Sequence, residues 1–270
     1  MSADGEAWFL INASPEIRAQ IESFEGLWPR ARRQSPIAGI VLTNGDLDHC
    51  LGLLSLRESH PLVVYATREV ARGFTEGNVL YRTLQRFPEQ VTWKALELGG
   101  ERALEAPGAR GAADIRMTTF AAPGKRPIHL ENVGTPGPED NIGLLLRAAG
   151  PVDEAGAGAV VAYVPAASRW TEGLQSQLAR ADVVFFDGTF WSSAEMSSSG
   201  VGTKRAEDMA HLPIGGPGGS LERLRELPAR RKILIHINNT NPILDEDSPE
   251  RAALRAAHIE VAEDNMLIEV

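Results

Sequence analysis

The chain has 270 residues, 43% hydrophobic and 23% charged, with 27 basic against 36 acidic side chains and a formal charge of −9. That acidic balance excludes a broad nucleic-acid face, which needs a basic footprint. The longest apolar runs, 160–164 and 183–186, are far too short to span a bilayer, and a single cysteine, Cys50, excludes a disulfide framework and an all-cysteine zinc or iron–sulfur site.

The amino terminus lacks the basic–apolar–small-residue pattern of a secretory leader, so a cytoplasmic globular protein is expected. Glu6-Ala-Trp-Phe-Leu-Ile11 predicts a strand almost at once, abruptly enough that an outer strand is expected to be missing from the chain. Gly39–Thr43 is the next short apolar run and stops at Asn44-Gly45-Asp46. Leu51, Leu53, Leu54 and Leu56 predict a helix after it. His129, in Pro127-Ile-His-Leu-Glu131, alternates as a strand residue would, and with His60 and His258 it is assigned no role. Thr171 and Ser220 are expected to cap helices carrying Leu174 and Leu178, and Leu221, Leu224 and Leu227. Two more runs end in polar clusters: Ala181–Phe186 at Asp187-Gly188, and Lys232–Ile235 at His236, Asn238 and Asn239. The segments 99–113, 148–158, 192–202 and 213–219 read by composition as irregular connections. Short apolar runs bounded by turn residues read as strands buried on both faces, and their alternation with helices predicts a layered α/β protein.

Chemistry concentrates at the strand ends. Asp46, Asp48 and His49 place two carboxylates and an imidazole within four residues, at the end of a strand and the start of a helix. Two readings stand for them: metal ligation, or capping of the helix by a carboxylate facing its positive end. Asp187 is either a turn-former in Asp187-Gly188 or a ligand, and His236 either a satisfied core residue or a ligand. His211 is a loop imidazole or a proton carrier. In layered α/β proteins ligands gather beyond the strand ends. Taken together, Asp48, His49, Asp187 and His236 would form a set of two imidazoles and two carboxylates. Mixed N/O ligation with open positions suits Fe(II), Mn(II) or Zn(II), and two histidines with a carboxylate point to non-haem iron oxygen chemistry. Cys50 reads as a buried spectator. No nucleophile elbow, Walker loop or dinucleotide fingerprint is present.

The Asn44-Gly-Asp-Leu-Asp-His49 unit resembles the metallo-β-lactamase superfamily signature His-x-His-x-Asp-His, with its later strand-end Asp and His. Asn44 and Asp46 stand where the two leading histidines belong, while Asp48, His49, Asp187 and His236 match. More specifically, the stretches Phe9–Pro15, Leu42–His49, Phe186–Trp191, Met209–Pro213 and His236–Pro249 resemble the PqqB family, the coenzyme PQQ synthesis B proteins. That resemblance implies an αββα four-layer sandwich of the metallo-β-lactamase type, one domain over 1–270, lacking the family's first strand and its cysteine-rich zinc segment. A structural zinc is therefore not expected. It also implies a part in making pyrroloquinoline quinone, as an iron-dependent hydroxylase of the tyrosine ring of a peptide-derived Glu–Tyr unit. The alternatives are a carrier of the quinone or its precursor toward the periplasm and a zinc-dependent hydrolase. On this reading Asp48, His49, Asp187 and His236 hold Fe(II), or Zn(II) in second place, and Asp46 orients His49 or adds a weak ligand. His211 moves a proton, and Asn44 and Asn238 hold substrate carboxylates. The expected partners are the Glu–Tyr substrate, other proteins of the pathway and a second copy in a homodimer, without nucleic acid or membrane span.

Overall fold

The computed structural model describes residues 1–270 except 33, 58–60, 77, 106–114 and 149–157. His60 and most of two predicted connections, 106–113 and 149–157, therefore lie outside the described residues. The chain forms two compact units, Met1–Thr119 with Arg126–Ile142 and Arg147–Gly158, and Phe120–Lys125 with Gly143–Leu146 and Ala159–Val270.

In the first unit the order is β1 (Trp8–Ile11), α1 (Ile17–Ser23), β2 (Ile37–Val41), α2 (Leu47–Cys50), β3 (Leu62–Thr67), α3 (Arg68–Glu76), β4 (Val91–Leu96), β5 (Glu101–Ala103) and residues 115–119 of β6 (Ile115–Ala121). Strands β1 to β4 form a parallel four-stranded sheet in sequence order. All six residues of β3 are buried, as a central parallel strand covered on both faces requires. Ile40, Leu42, Leu53, Val64 and Phe74 pack in one core, and each such side chain removed from water contributes about 1.5–3 kcal/mol. Arg126, 6% exposed, pairs with Asp140 and Glu69 and ties the 126–140 segment to α3.

In the second unit β7 (Ile142–Ala148) supplies Gly143–Leu146. It is followed by β8 (Val160–Val164), α4 (Glu172–Leu178), β9 (Val183–Asp187), α5 (Glu195–Ser198), α6 (Ser220–Glu226), β10 (Arg231–Ile235), α7 (Pro249–Ala256) and β11 (Glu260–Val261). Strands β8, β9, β10 and β11 are parallel neighbours. Their inner residues, among them Val184, Phe186 and Leu234, share a core with Leu174, Leu178 and Leu224 of the helices. The register sets Asp187 opposite Ile235. Asp187 and His236 therefore emerge at the carboxyl ends of adjacent strands, where α/β sheets place ligands.

Several expectations are corrected by packing. The predicted 51–56 helix is a 3-10 segment, Leu51–Ser55, because Gly52 lies against the 13–14 backbone. A Cβ there would stand 2.1 Å from the Ser14 carbonyl. Thr171 caps α4 as expected, accepting from the Leu174 amide, but Ser220 does not cap α6. Gly219 occupies that position, and the first helix amides donate instead to the carbonyls of Pro213 and Ile214. His129 lies in a 3-10 turn, Ile128–Leu130, begun at Pro127, rather than in a strand. Two regular elements fall in segments expected to be irregular, β5 and α5. No helix among the described residues is long and apolar enough to cross a membrane.

Candidate metal centre

In the first unit the turn after β2 is built before its ligands are. Asn44, 1% exposed, accepts from the Asp46 amide through Oδ1 and donates through Nδ2 to Asn141 Oδ1 at 3.1 Å. A Cβ at Gly45 would meet Leu130 Cδ1 at 2.7 Å, so the tip of that leucine would have to shift. Asp46 sits at the cap position of α2, yet its carboxylate accepts no helix amide; its carbonyl takes the His49 and Cys50 amides instead. Asp48 is exposed and lies 3.9 Å from His49 Nε2. His49 is buried, its Nδ1 facing the Thr43 hydroxyl at 3.5 Å and its carbonyl accepting from Ala13. Cys50 turns its sulfur to the Gly45 carbonyl, and burial, followed by the charges of Asp46 and Asp48, pushes its thiol pKa up to about 12. A thiol so protonated is a packing group, not a ligand.

In the second unit a single carboxylate organises two imidazoles. Asp187 ends β9 with 0% exposure. Its Oδ2 accepts from the Ala167 amide at 2.9 Å and from His211 Nδ1 at 2.8 Å. Its Oδ1 accepts the Thr189 amide at 3.0 Å and the Thr189 hydroxyl at 2.6 Å. Burial pushes its pKa upward, but the charge and hydrogen bond of His211, the charge of His236 and the Thr189 hydroxyl prevail and hold it below the ordinary carboxylate value. His211 is aimed by Ala210, whose left-handed φ of 67° reverses the chain after the 3-10 turn Glu207–Met209. Its ring stacks on that of His236, centroids 5.3 Å apart, and lies edge-on to Phe190.

His236 also carries a left-handed φ, 57°, a conformation that costs about 1–3 kcal/mol and persists only where its surroundings over-determine it. Here the surroundings are specific. The Gly188 amide donates to Ile235 O at 2.7 Å, Asn238 N to Thr189 O at 3.1 Å, and Asn241 Nδ2 to Gly188 O at 2.9 Å. Asn238 itself is drawn into this loop, donating to Thr240 Oγ1, which donates to buried Glu195.

One ligand atom from each of Asp187, His211 and His236 lies within 4.8 Å of the others. Two imidazole nitrogens and a carboxylate suit a first-row divalent ion, so the donors present fit a metal. Asp187 already accepts two hydrogen bonds on each oxygen, which also makes it the group that orients both rings. His211, a loop imidazole by sequence, thus belongs to the same cluster as the strand-end pair. Thr189 and Glu195 escaped the sequence reading. Thr189 carried a signal, because Asp-x-Thr after a strand is the spacing of an Asx turn.

Residues 7–237 match the family model of the beta-lactamase superfamily domain. The chain has the metallo-β-lactamase fold. A diphosphatase of the PhnP family shares that fold at 18% identity, with a TM-score of 0.59 over 98% of this chain and 80% of the other. Coenzyme PQQ synthesis protein B of Pseudomonas savastanoi pv. phaseolicola is 42% identical over 271 residues, covering 100% of this chain and 86% of the relative. The crystal structure of Zn(2+)-bound PqqB from Methylobacterium extorquens superposes with a TM-score of 0.87 at 36% identity, over 100% of this chain and 86% of that one. The chain belongs to the PqqB family.

Proposed function

We propose that the protein acts in pyrroloquinoline quinone biosynthesis as an iron-dependent hydroxylase of the tyrosine ring in a peptide-derived Glu–Tyr intermediate. It would work in the cytoplasm beside other proteins of the pathway, with a homodimer as the proposed assembly. The observation that carries the reading is the fully buried Asp187 bonded to His211 and, through Thr189, to His236. A buried carboxylate gathered with two imidazoles is the mixed N/O donor set of a metal centre.

Asp48, His49, Asp187 and His236 keep the ligand role that the family resemblance implies, with Asp46 orienting His49. Bound Fe(II) supplies the one-electron chemistry that lets O₂ react with an aromatic ring. His211 donates Nδ1–H to Asp187, so its Nε2 takes the phenol proton of the substrate. The amides of Asn44 and Asn238 reach substrate carboxylates by exchanging their present partners, Asn141 and Thr240.

Zinc in the M. extorquens protein favours a second reading, a zinc hydrolase. It is weakened here because Asn44 and Asp46 replace the leading histidine pair. Protein loaded with Fe(II) under anaerobic conditions, then given O₂, a Glu–Tyr dipeptide and ascorbate as the two-electron reductant that sends the second oxygen atom to water, should yield a ring-hydroxylated product by mass spectrometry. No product, together with unchanged iron affinity in His49→Ala, would end the hydroxylase reading; ester turnover by zinc-loaded protein would establish the hydrolase.

A further inference from the structure

We propose that Thr189 is a positioning residue that sets the tautomer of His236, holding the ring proton on Nδ1 and the lone pair on Nε2. The inference deepens the metal-binding role proposed above and rests on it for its purpose, though not for its geometry.

Thr189 is 7% exposed. Its Oγ1 lies 2.6 Å from Asp187 Oδ1, 2.7 Å from His236 Nδ1, 3.0 Å from His211 Nδ1 and 2.9 Å from the His236 carbonyl. A hydroxyl has one hydrogen to donate and two lone pairs. Carboxylate and carbonyl oxygens only accept, so the hydrogen goes to one of them, and the shorter, charge-assisted contact with Asp187 takes it. Both ring nitrogens then meet Oγ1 as N–H donors.

For His211 this is redundant, since Nδ1 also faces Asp187 Oδ2 at 2.8 Å and the carboxylate alone keeps the proton there. For His236 the hydroxyl is the link: Nδ1–H donates to Oγ1, and Oγ1–H donates to Asp187 Oδ1. The relay is rigid because the Thr189 backbone is held at both ends, its amide by Asp187 and its carbonyl by Asn238 and Asn241. The left-handed backbone at residue 236 places its carbonyl within 2.9 Å of the same hydroxyl. One buried carboxylate thereby orients two imidazoles, one directly and one through a hydroxyl.

The test is ¹⁵N NMR of the metal-free, histidine-labelled protein, with the His236 signals identified by their loss in His236→Gln. The wild type should show neutral His236 protonated on Nδ1. Thr189→Val should shift it toward the Nε2–H form and weaken Zn(II) binding about 10- to 100-fold, and Thr189→Ser should restore both. A wild-type His236 carrying its proton on Nε2 overturns the proposal without any variant, so it stays falsifiable should Thr189→Val not fold. A folded Thr189→Val with unchanged tautomer and Zn(II) affinity overturns it as well. Wild-type protein that shows Nδ1–H yet binds no Zn(II) would overturn the metal reading and support the positioning of His236.

Discussion

The carboxylate of Asp187 and the imidazole of His211 meet at 2.8 Å, Oδ2 to Nδ1, with the carboxylate wholly removed from solvent. A buried anion is costly unless paired, and here pairing prevails, since the Asp187 pKa lies below its ordinary value. The folded state therefore holds this proton less tightly than the unfolded chain, whose aspartates titrate near about 3.9. The stabilisation is complete above that value and is lost as pH falls from there through the lower folded one. Asp187→Asn should cost about 1–3 kcal/mol near neutrality, because an amide NH₂ then faces N–H donors, and should flatten the acid limb of a Tm-against-pH profile. Parallel acid limbs in wild type and variant would contradict this.

Arg126 makes a second prediction, one of stability alone. Its side chain is 3% exposed and bonds Asp140, Glu69 and the carbonyls of Val133 and Thr135. Arg126→Ala leaves Asp140 buried without its cation and should cost about 3–5 kcal/mol, read as a lowered urea midpoint.

Gly188 is pinned by its neighbouring strand. A Cβ would stand 2.9 Å from Leu234 Cβ and 3.0 Å from the Ile235 carbonyl, and the backbone cannot swing away as a side chain would. Gly188→Ala should destabilise by about 1–3 kcal/mol. By displacing Thr189, it should also weaken Zn(II) binding in a titration of folded protein.

Cys50 should be inert. With 4% exposure and a thiol pKa near 12, it carries almost no thiolate at pH about 8, where an ordinary cysteine is partly ionised. Iodoacetamide should leave the native protein unmodified by mass spectrometry and label it promptly in urea; rapid native labelling would contradict the packing role.

The strands were legible because short apolar runs ending in polar clusters survive in any buried parallel sheet. The 37–41, 183–187 and 231–235 strands each fall within about two residues of their predicted positions. Thr171 was legible as a cap for the same local reason. Ser220 was not, because the carbonyls of Pro213 and Ile214, which a loop folds back onto the helix, take the amides of Ser220 and Leu221, and the helix starts one residue earlier with Gly219 at the cap position. Nor was α2 distinguishable from a longer helix, since only the approach of the 13–14 backbone to Gly52 forces the change to 3-10 geometry.

By itself, the sequence determined the family, the strand ends and the chemistry available there, because residue type and short spacing suffice for those. Tertiary structure alone decided which groups meet. His211 lies 24 residues from Asp187, and Thr189 lies 47 from His236. The pairing of β9 with β10 brings the second of these together, and the left-handed turn at Ala210 aims the first. Hydrogen-bond partners so distant along the chain follow from strand adjacency and backbone reversal, which no local pattern of side chains encodes.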